Sequence, residues 1–172
     1  MTKFIEWLEE IAINDSKVRA VLRRSLSFEP GTYVEAFSYV EKFVKRDANP
    51  WNREMHYLVA GLWAMHWKEG RTSEKQSLGK AYADHWRSNN CSTSIEKRFI
   101  VTLDADQSQL AYRLRQLVVL LKEYPIDFSK LLNDLLWWKL EKNKVQIEWA
   151  RDFYREPFTE TETLPKQQLE II

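Results

Sequence analysis

The sequence predicts an all-α fold, and three observations favour it. Apolar residues recur every three or four positions along most of the chain, as they do on the buried face of a helix. Only four Gly and five Pro interrupt the 172 residues. No run of strict apolar alternation is long enough to indicate a half-buried strand. We therefore expect roughly eight helices, joined by short loops, in a two-lobed helical bundle.

The N-terminal part of the chain contains three predicted helical segments. The first two are separated by the helix-breaking pair Pro30–Gly31. Their apolar stripes are Phe4, Trp7, Leu8 and Ile11, and then Tyr33, Phe37, Val40 and Val44. The third segment follows Asn49–Pro50 and is apolar from Met55 to Met65 over most of its circumference. This pattern predicts a central, buried helix.

The C-terminal part begins after the polar stretch RSNNCST, residues 87–93. Thr93 and Glu96 have the spacing of a capping box, and Asp106 and Asp127 are the expected N-caps of two later helices. Between those caps lies a stripe formed by Leu110, Leu114, Leu117 and Leu121. We divide the chain into an N-terminal helical lobe, residues 1–90, a C-terminal helical bundle, residues 91–156, and a frayed acidic tail, residues 157–172.

Two adjacent tryptophans occur in the stretch LLWWKLEKNK, residues 135–144. Helical spacing places Trp138 on the same apolar face as Leu135, whereas Trp137 is rotated from it by about 100°. We expect Trp137 to meet a second helix or a partner subunit, so that the pair fixes the C-terminal bundle. The lysines of this stretch would then face phosphates. Base stacking by the tryptophans is an alternative that stays open.

The composition limits the class of protein. Apolar residues make up 44% and charged residues 30% of the chain, which is typical of a globular domain. The single cysteine, Cys91, excludes an internal disulfide and a multi-cysteine zinc site. Acidic residues within the N-terminal stretch argue against a signal or transit peptide, and no apolar run approaches the roughly 20 residues that span a bilayer. We expect a soluble, cytoplasmic protein without a membrane partner.

The side chains that support catalysis form no recognisable pattern. His56, His66 and His85 lack the spacing of a metal site, and no Gly-rich phosphate loop is present. Cys91 has no identifiable partner base. Asp104 lies between two predicted helices, where capping explains a carboxylate. We therefore expect a non-enzymatic protein that binds neither a metal nor a cofactor.

The net charge of +1 conceals an uneven distribution. Residues 1–15 contain one Lys and four acids, and residues 156–172 contain one Lys and four Glu, which leaves 24 basic against 17 acidic residues between them. Basic pairs lie on several predicted helices, namely Arg115 with Lys122 on the helix that also carries Arg113, Lys144 with Arg151, Arg23 with Arg24, and Lys97 with Arg98. One such pair is typical of a solvated helix face. Several together favour a surface that follows a phosphate backbone.

In its longer motifs, the sequence resembles the CasB family, the small subunit of the type I-E CRISPR surveillance complex Cascade. The resemblance covers roughly residues 20–155. It is carried by the order and spacing of HYLVAGLWAMH, SLGKAYA, IEKRFIVTLDAD, LAYRLRQLVVLL, LLWW and WARDFY. It implies a two-lobed, all-helical fold and a non-catalytic role in antiviral defence. Two copies of such a subunit line the inner face of the complex and help to hold the R-loop, including the displaced strand.

The resemblance also implies which basic residues bind nucleic acid. The family's basic positions correspond to Arg23 or Arg24, Arg53, Lys80, Lys97, Arg98, Arg115, and the region of Lys139 and Lys142. With Arg113 and Lys144 added from the helix faces above, the candidate nucleic-acid-binding residues are Arg23, Arg24, Arg53, Lys80, Lys97, Arg98, Arg113, Arg115, Lys139, Lys142 and Lys144. The implied partners are crRNA, target DNA, the backbone and large subunits of Cascade, and a second copy of the chain. The chain departs from the family pattern at Asp104 and Gln116, where relatives can carry a basic residue. The alternative function is a helical protein–protein adaptor without nucleic-acid binding.

Overall fold

The all-α prediction is confirmed by a computed structural model that describes residues 3–69, 74–139 and 141–155. Nine α-helices lie in these ranges, close to the eight expected, and the ranges contain no strand. The helices are α1 (Lys3–Asn14), α2 (Ser16–Ser25), α3 (Phe37–Val40), α4 (Pro50–His66), α5 (Leu78–Ser88), α6 (Thr93–Leu103), α7 (Gln107–Leu120), α8 (Phe128–Leu136) and α9 (Lys144–Tyr154). The predicted tail, residues 157–172, lies outside the described residues.

The predicted helix starts are confirmed at three positions. Side-chain oxygens of Asn49, Asp106 and Asp127 accept hydrogen bonds of 2.8, 3.0 and 2.9 Å from backbone N–H groups in the first turns of α4, α7 and α8. Each bond satisfies an N–H group that has no partner within its helix. Helix starts that depend on a local side chain are therefore readable from sequence.

The prediction of a capping box at the start of α6 is wrong. The helix begins at Thr93 itself, so its N-cap is Ser92, whose side chain makes no capping bond. Glu96 instead accepts a 2.6 Å hydrogen bond from the hydroxyl of Tyr154 on α9. The capping box is absent because the helix starts one residue earlier than predicted, which places Thr93 within its first turn, and Glu96 bonds to a residue 58 positions further along the chain.

The stripe from Tyr33 to Val44 forms less helix than its spacing predicts. Only the single turn of α3 is α-helical, and 3₁₀ turns at Val34–Ala36 and Glu41–Phe43 flank it. The segment is rich in β-branched and aromatic residues, which lose rotamer freedom in a helix. Only Ala36 and Val40 of this segment are buried, and its larger apolar side chains are partly buried against the core, so tertiary packing offsets that low propensity only in part.

Helix α4 is the central helix, as predicted, and is buried over most of its surface. It packs against α2, α7 and α8. Gly61 allows the close approach of α2, since a Cβ atom at this position would lie 2.6 Å from a methyl carbon of Leu26 and 3.1 Å from the carbonyl oxygen of Leu22. The predicted leucine stripe of α7 is confirmed as part of the same core, with each leucine at most 1% exposed.

The second close helix contact joins α5 to α9. A Cβ atom on Gly79 would lie 2.9 Å from the carbonyl oxygen of Trp149, so the glycine permits the two backbones to pack together. Phe99 of α6 and Phe153 of α9 stack beside this contact at 4.4 Å between ring centroids, and Tyr82 of α5 stacks on Phe99 at 5.4 Å. The aromatic residues thus join α5, α6 and α9.

The two adjacent tryptophans have different environments. Trp138 is 5% exposed and packs edge-on against Trp149, at 5.1 Å between ring centroids. Its predicted place in the core is confirmed. Trp137 is 57% exposed, so the prediction that it meets a second helix and helps to fix the C-terminal bundle is wrong, whereas its contact with a partner subunit stays a prediction. The turn at residues 137–139, where α8 has ended, directs its ring away from the described core.

Packing extends across the predicted lobe boundary at residue 90. Helix α4 contacts α7 and α8, α5 contacts α9, and the buried residues form one cluster. The loops also meet, because the N–H of Asp127 donates a 2.9 Å hydrogen bond to the carbonyl oxygen of Gln76. The division into lobes stays a prediction. None of the described helices is long and apolar enough to cross a membrane.

Candidate nucleic-acid interface

Helix α7 presents an exposed stripe opposite its buried leucines. The stripe consists of Ser108, Tyr112, Arg115 and Val119, with Gln116 beside Arg115 and Lys122 just past the end of the helix. A guanidinium nitrogen of Arg115 donates a 3.1 Å hydrogen bond to the carbonyl oxygen of Leu26, directly after the end of α2. The last turn of α2 carries Arg23 and Arg24, both exposed. The structure therefore places Arg115 against the end of α2, at a residue that follows Arg23 and Arg24 by two to three positions.

A groove separates α2 from α7, with a volume of about 190 Å³. It is lined by Ser25, Leu26 and residues 28–31, by Tyr57 and Leu58 of α4, and by Ala111, Tyr112 and Arg115 of α7. We call it the α2–α7 groove. Phe28 lies in its wall and stacks on Tyr33, with 4.7 Å between ring centroids and 14° between ring planes. Arg24 lies 6.0 Å from the same Tyr33 ring.

Arg53 lies beside this groove but is already engaged within the protein. Its Nε donates a 2.9 Å hydrogen bond to Glu41, and its Nη1 donates one of 2.9 Å to the carbonyl oxygen of Gly31. The guanidinium also lies 5.0 Å from the Phe37 ring and 4.9 Å from the Tyr57 ring. These contacts assign Arg53 a positioning role, in which it holds the turn at Gly31, whose φ is 82°.

The Glu41 carboxylate should make stability depend on pH. Burial raises the pKa of Glu41, but the hydrogen bonds that it accepts from Tyr57 and Arg53 lower this pKa by more, to below its ordinary value of 4.5. The folded state therefore gains stability from this group above about pH 4.5, and loses it as the pH falls through the lower, folded-state pKa.

Replacing Glu41 with Gln should remove the pH-dependent contribution of this carboxylate to the free energy of unfolding. Urea unfolding of the wild-type chain and of Glu41→Gln, followed from pH 7 to pH 3, measures the difference in unfolding free energy. We expect the wild-type advantage to be constant near neutral pH and to shrink below about pH 4.5. A difference that stays constant down to pH 3 would contradict the hydrogen-bonded carboxylate.

Lys97 and Arg98 are both exposed on α6. Two tyrosine hydroxyls fix this helix, since Tyr82 donates to the carbonyl oxygen of Ile95 at 3.0 Å and Tyr154 donates to Glu96 at 2.6 Å. Burial, and then the bond to Glu96, raises the pKa of Tyr154 to about 12, so the hydroxyl keeps its proton at neutral pH. The basic pair is thus presented to solvent from a well-anchored helix.

Lys139 lies where three helices meet. Its ammonium group donates a hydrogen bond to the side chain of Gln107 at the start of α7 and lies 4.1 Å from the Trp51 ring of α4. The Trp51 indole N–H donates in turn to the carbonyl oxygen of Leu135 in α8, at 2.8 Å. Gln107 and Arg115 are eight residues apart on α7, which separates the two basic regions by about 12 Å along its axis.

The other candidates are less closely associated with these regions. Lys142 and Lys144 are exposed beside the sharp turn before α9, in which Lys142 and Asn143 have φ values of 62° and 52°. Arg113 is half-buried, and its Nε is buried without a hydrogen-bond partner in the described part of the chain. Lys80 is exposed on α5, and no described contact joins it to the α2–α7 groove.

Sequence reasoning missed a further basic region before α4. A second groove, of about 430 Å³, is lined by Lys42, Lys45, Arg46, Arg53 and the acidic Glu41, together with Val44 and Ala48. Lys42 lies 3.2 Å from the centre of the Trp7 ring of α1. The run KFVKR, residues 42–46, is the signal that reveals this region in the sequence.

The histidines are involved in packing. His56 Nδ1 lies 2.7 Å from the carbonyl oxygen of Asn52, and His66 Nε2 lies 2.9 Å from that of Leu121. Burial lowers the pKa of His56, which favours its neutral form. Among residues 3–69, 74–139 and 141–155, no group of three or more His, Cys, Asp or Glu side chains is arranged to hold a metal ion.

The fold and these basic regions define an all-helical protein that presents arginine and lysine side chains from several helices. The chain belongs to the CRISPR-associated protein Cse2 family, whose sequence profile matches residues 18–154. It is 43% identical to the CRISPR-associated protein Cse2 of Thermus thermophilus over 155 residues, which cover 88% of each chain. The predicted resemblance to the CasB family is therefore confirmed.

Solved structures of relatives have the same fold. A Cse2-family crystal structure from Thermus thermophilus has a TM-score of 0.78 and 42% identity, over 88% of this chain and 96% of that chain. CasB from M. ruber has a TM-score of 0.74 and 34% identity, over 88% and 90%. A chain of a CRISPR RNA-guided surveillance complex has a TM-score of 0.74 over 87% and 88%, and at 22% identity this likeness shows the fold alone.

Proposed function

We propose that the chain is a non-catalytic small subunit of the type I-E Cascade complex in antiviral defence. In this role it binds the R-loop formed by crRNA and target DNA, including the displaced strand, through its basic helix faces. Its partners are the backbone and large subunits and a second copy of itself, in the cytoplasm. The observation that carries the proposal is the juxtaposition of Arg115 on α7 with the arginine-bearing end of α2.

The distribution of charge suits this role. Guide pairing reads the sequence in such complexes, so a supporting subunit needs phosphate contacts without base preference. Lys97 and Arg98 on α6, and Lys139 at the junction of three helices, provide exposed cations on different elements of one compact fold. Each phosphate that they neutralise releases condensed counterions, which makes the affinity fall as salt rises.

Co-purification tests the assembly directly. A tagged copy of the chain, produced with its cognate type I-E locus and a single guide, should recover the backbone and large subunits together with crRNA. Permanganate reactivity of a bound target duplex should then show an open R-loop. Recovery of the chain without these subunits, although they are present in the lysate, would contradict the proposal.

A second candidate function is that of a helical adaptor that binds only proteins. The exposed apolar side chains Trp137, Ile147 and Tyr154, which are 57%, 47% and 47% exposed, favour it. The two functions differ in their response to salt. Retention of the purified chain on a single-stranded DNA column at about 50 mM salt, with release as the salt rises, supports nucleic-acid binding. Passage without retention supports the adaptor.

A further inference from the structure

We propose that the α2–α7 groove holds one unstacked nucleobase of a single-stranded nucleic acid, with Tyr112 as the stacking surface. This inference rests on the proposed function and deepens it. It adds a base-binding site to a surface that otherwise contacts phosphates. A base that is paired and stacked within a duplex does not reach such a groove, so the site distinguishes single strands from duplexes.

The size of the groove suits a single planar ring system. At about 190 Å³, it is smaller than the roughly 300–1,000 Å³ of pockets that take drug-sized ligands. Its aliphatic lining consists of Leu26, Pro30, Leu58 and Ala111, and aromatic rings from both sides border it. Apolar and aromatic walls around a narrow space favour a flat group with two apolar faces.

Tyr112 has the properties of a stacking surface. It is 62% exposed in the outward stripe of α7, which is a high exposure for a large aromatic side chain. The side-chain amide of Gln116, one turn later, donates a 2.8 Å hydrogen bond to its hydroxyl oxygen and so limits the orientations of the ring. Phe28, which is 45% exposed in the opposite wall, is held by its stack on Tyr33.

The charges around the groove also fit a base between two phosphates. Arg115 keeps one N–H on the carbonyl oxygen of Leu26, and its remaining donors are available to a phosphate. Arg24 lies on the other side, near Tyr33. Glu29 lines the groove as well. Its carboxylate repels phosphate but accepts hydrogen bonds from the amino group of a base, so it favours a base within the groove and phosphates outside it.

The test uses the full chain with Tyr112→Leu and Tyr112→Phe at about 50 mM salt. The ligands are a fluorescent single-stranded DNA 12-mer, the same strand with abasic sites throughout, and the corresponding duplex. We expect Tyr112→Leu to weaken binding of the 12-mer about 5- to 150-fold. Tyr112→Phe keeps the ring and should stay within about 2-fold of wild type. Neither variant should change the affinity for the abasic strand or the duplex.

Three results would overturn the inference. Wild-type affinity of Tyr112→Leu for the 12-mer would show that no base stacks there, and an equal loss on the abasic strand would show a backbone contact. If Tyr112→Leu kept its affinity for DNA but no longer co-purified with the Cascade subunits, the groove would be assigned to a protein partner. In each of these cases the proposed function stands. Failure of the wild-type chain to bind any of the three ligands would instead overturn nucleic-acid binding and the groove together.

Discussion

Reversing the charges of Lys97, Arg98 and Arg115 together should weaken target binding by the assembled complex about 100- to 1,000-fold near 0.1 M salt. The affinity falls by this much because the variant loses about three phosphate contacts, each of which releases nearly one counterion on binding. All three side chains are exposed on α6 and α7, so the triple Glu variant should fold. Electrophoretic mobility shift with a guide-matched duplex measures the affinity.

A matched variant separates local contact from overall charge. Lys3, Lys17 and Lys68 are also exposed and lie outside the candidate residues, so changing these three to Glu alters the net charge by the same amount. We expect this control to bind the target within about 3-fold of wild type, because it changes the overall charge, which salt screens, without removing any of the proposed phosphate contacts. Equal affinities for the two triple variants would remove Lys97, Arg98 and Arg115 from the interface.

Trp138→Ala should lower the free energy of unfolding by about 3–5 kcal/mol, the typical cost of removing a large aromatic side chain from a core. The side chain is 5% exposed and packs on Trp149, whose indole N–H donates a 2.8 Å hydrogen bond to Asp134. The resulting cavity would therefore reach a buried polar contact. Urea unfolding monitored by far-UV circular dichroism measures the change.

Trp137→Ala is the matched control, since it removes the same side chain one position earlier. Because Trp137 is 57% exposed, we expect a change within about 0.5 kcal/mol, as at most surface positions. Folded Trp138→Ala should bind the target with wild-type affinity. A Trp138→Ala protein that keeps its melting temperature but loses nucleic-acid binding would assign this tryptophan to the interface and contradict its role in the core.

Local and periodic features of this fold were predictable from the sequence. The leucines of α7 are buried as their spacing predicts. Asn49, Asp106 and Asp127 each cap a helix by accepting a hydrogen bond from the backbone N–H three residues later. Such features depend on neighbours within one or two helical turns, which the sequence displays directly. The long apolar run of α4 likewise indicates its central position, because a helix without a polar face needs packing on all sides.

Features that depend on distant partners were not predictable. Arg53 meets Glu41 and the Gly31 carbonyl oxygen, and Arg115 meets Leu26, which is 89 residues away. The helical spacing of a sequence does not distinguish a basic side chain that bonds to other residues of the protein from one that is exposed to solvent. Trp137 shows the same limit, since its exposure follows from the end of α8 and not from its spacing.

In the proposed function, the basic faces of α6 and α7 bind phosphates of the target. The slope of log K against log salt, measured for complexes with the wild-type chain and with the Lys97, Arg98 and Arg115 triple variant, tests it most directly. We predict a slope that is less steep by about 2 to 3 in the variant, since each lost contact removes about 0.7 to 0.9. Parallel lines would contradict this phosphate binding, whatever the difference in affinity.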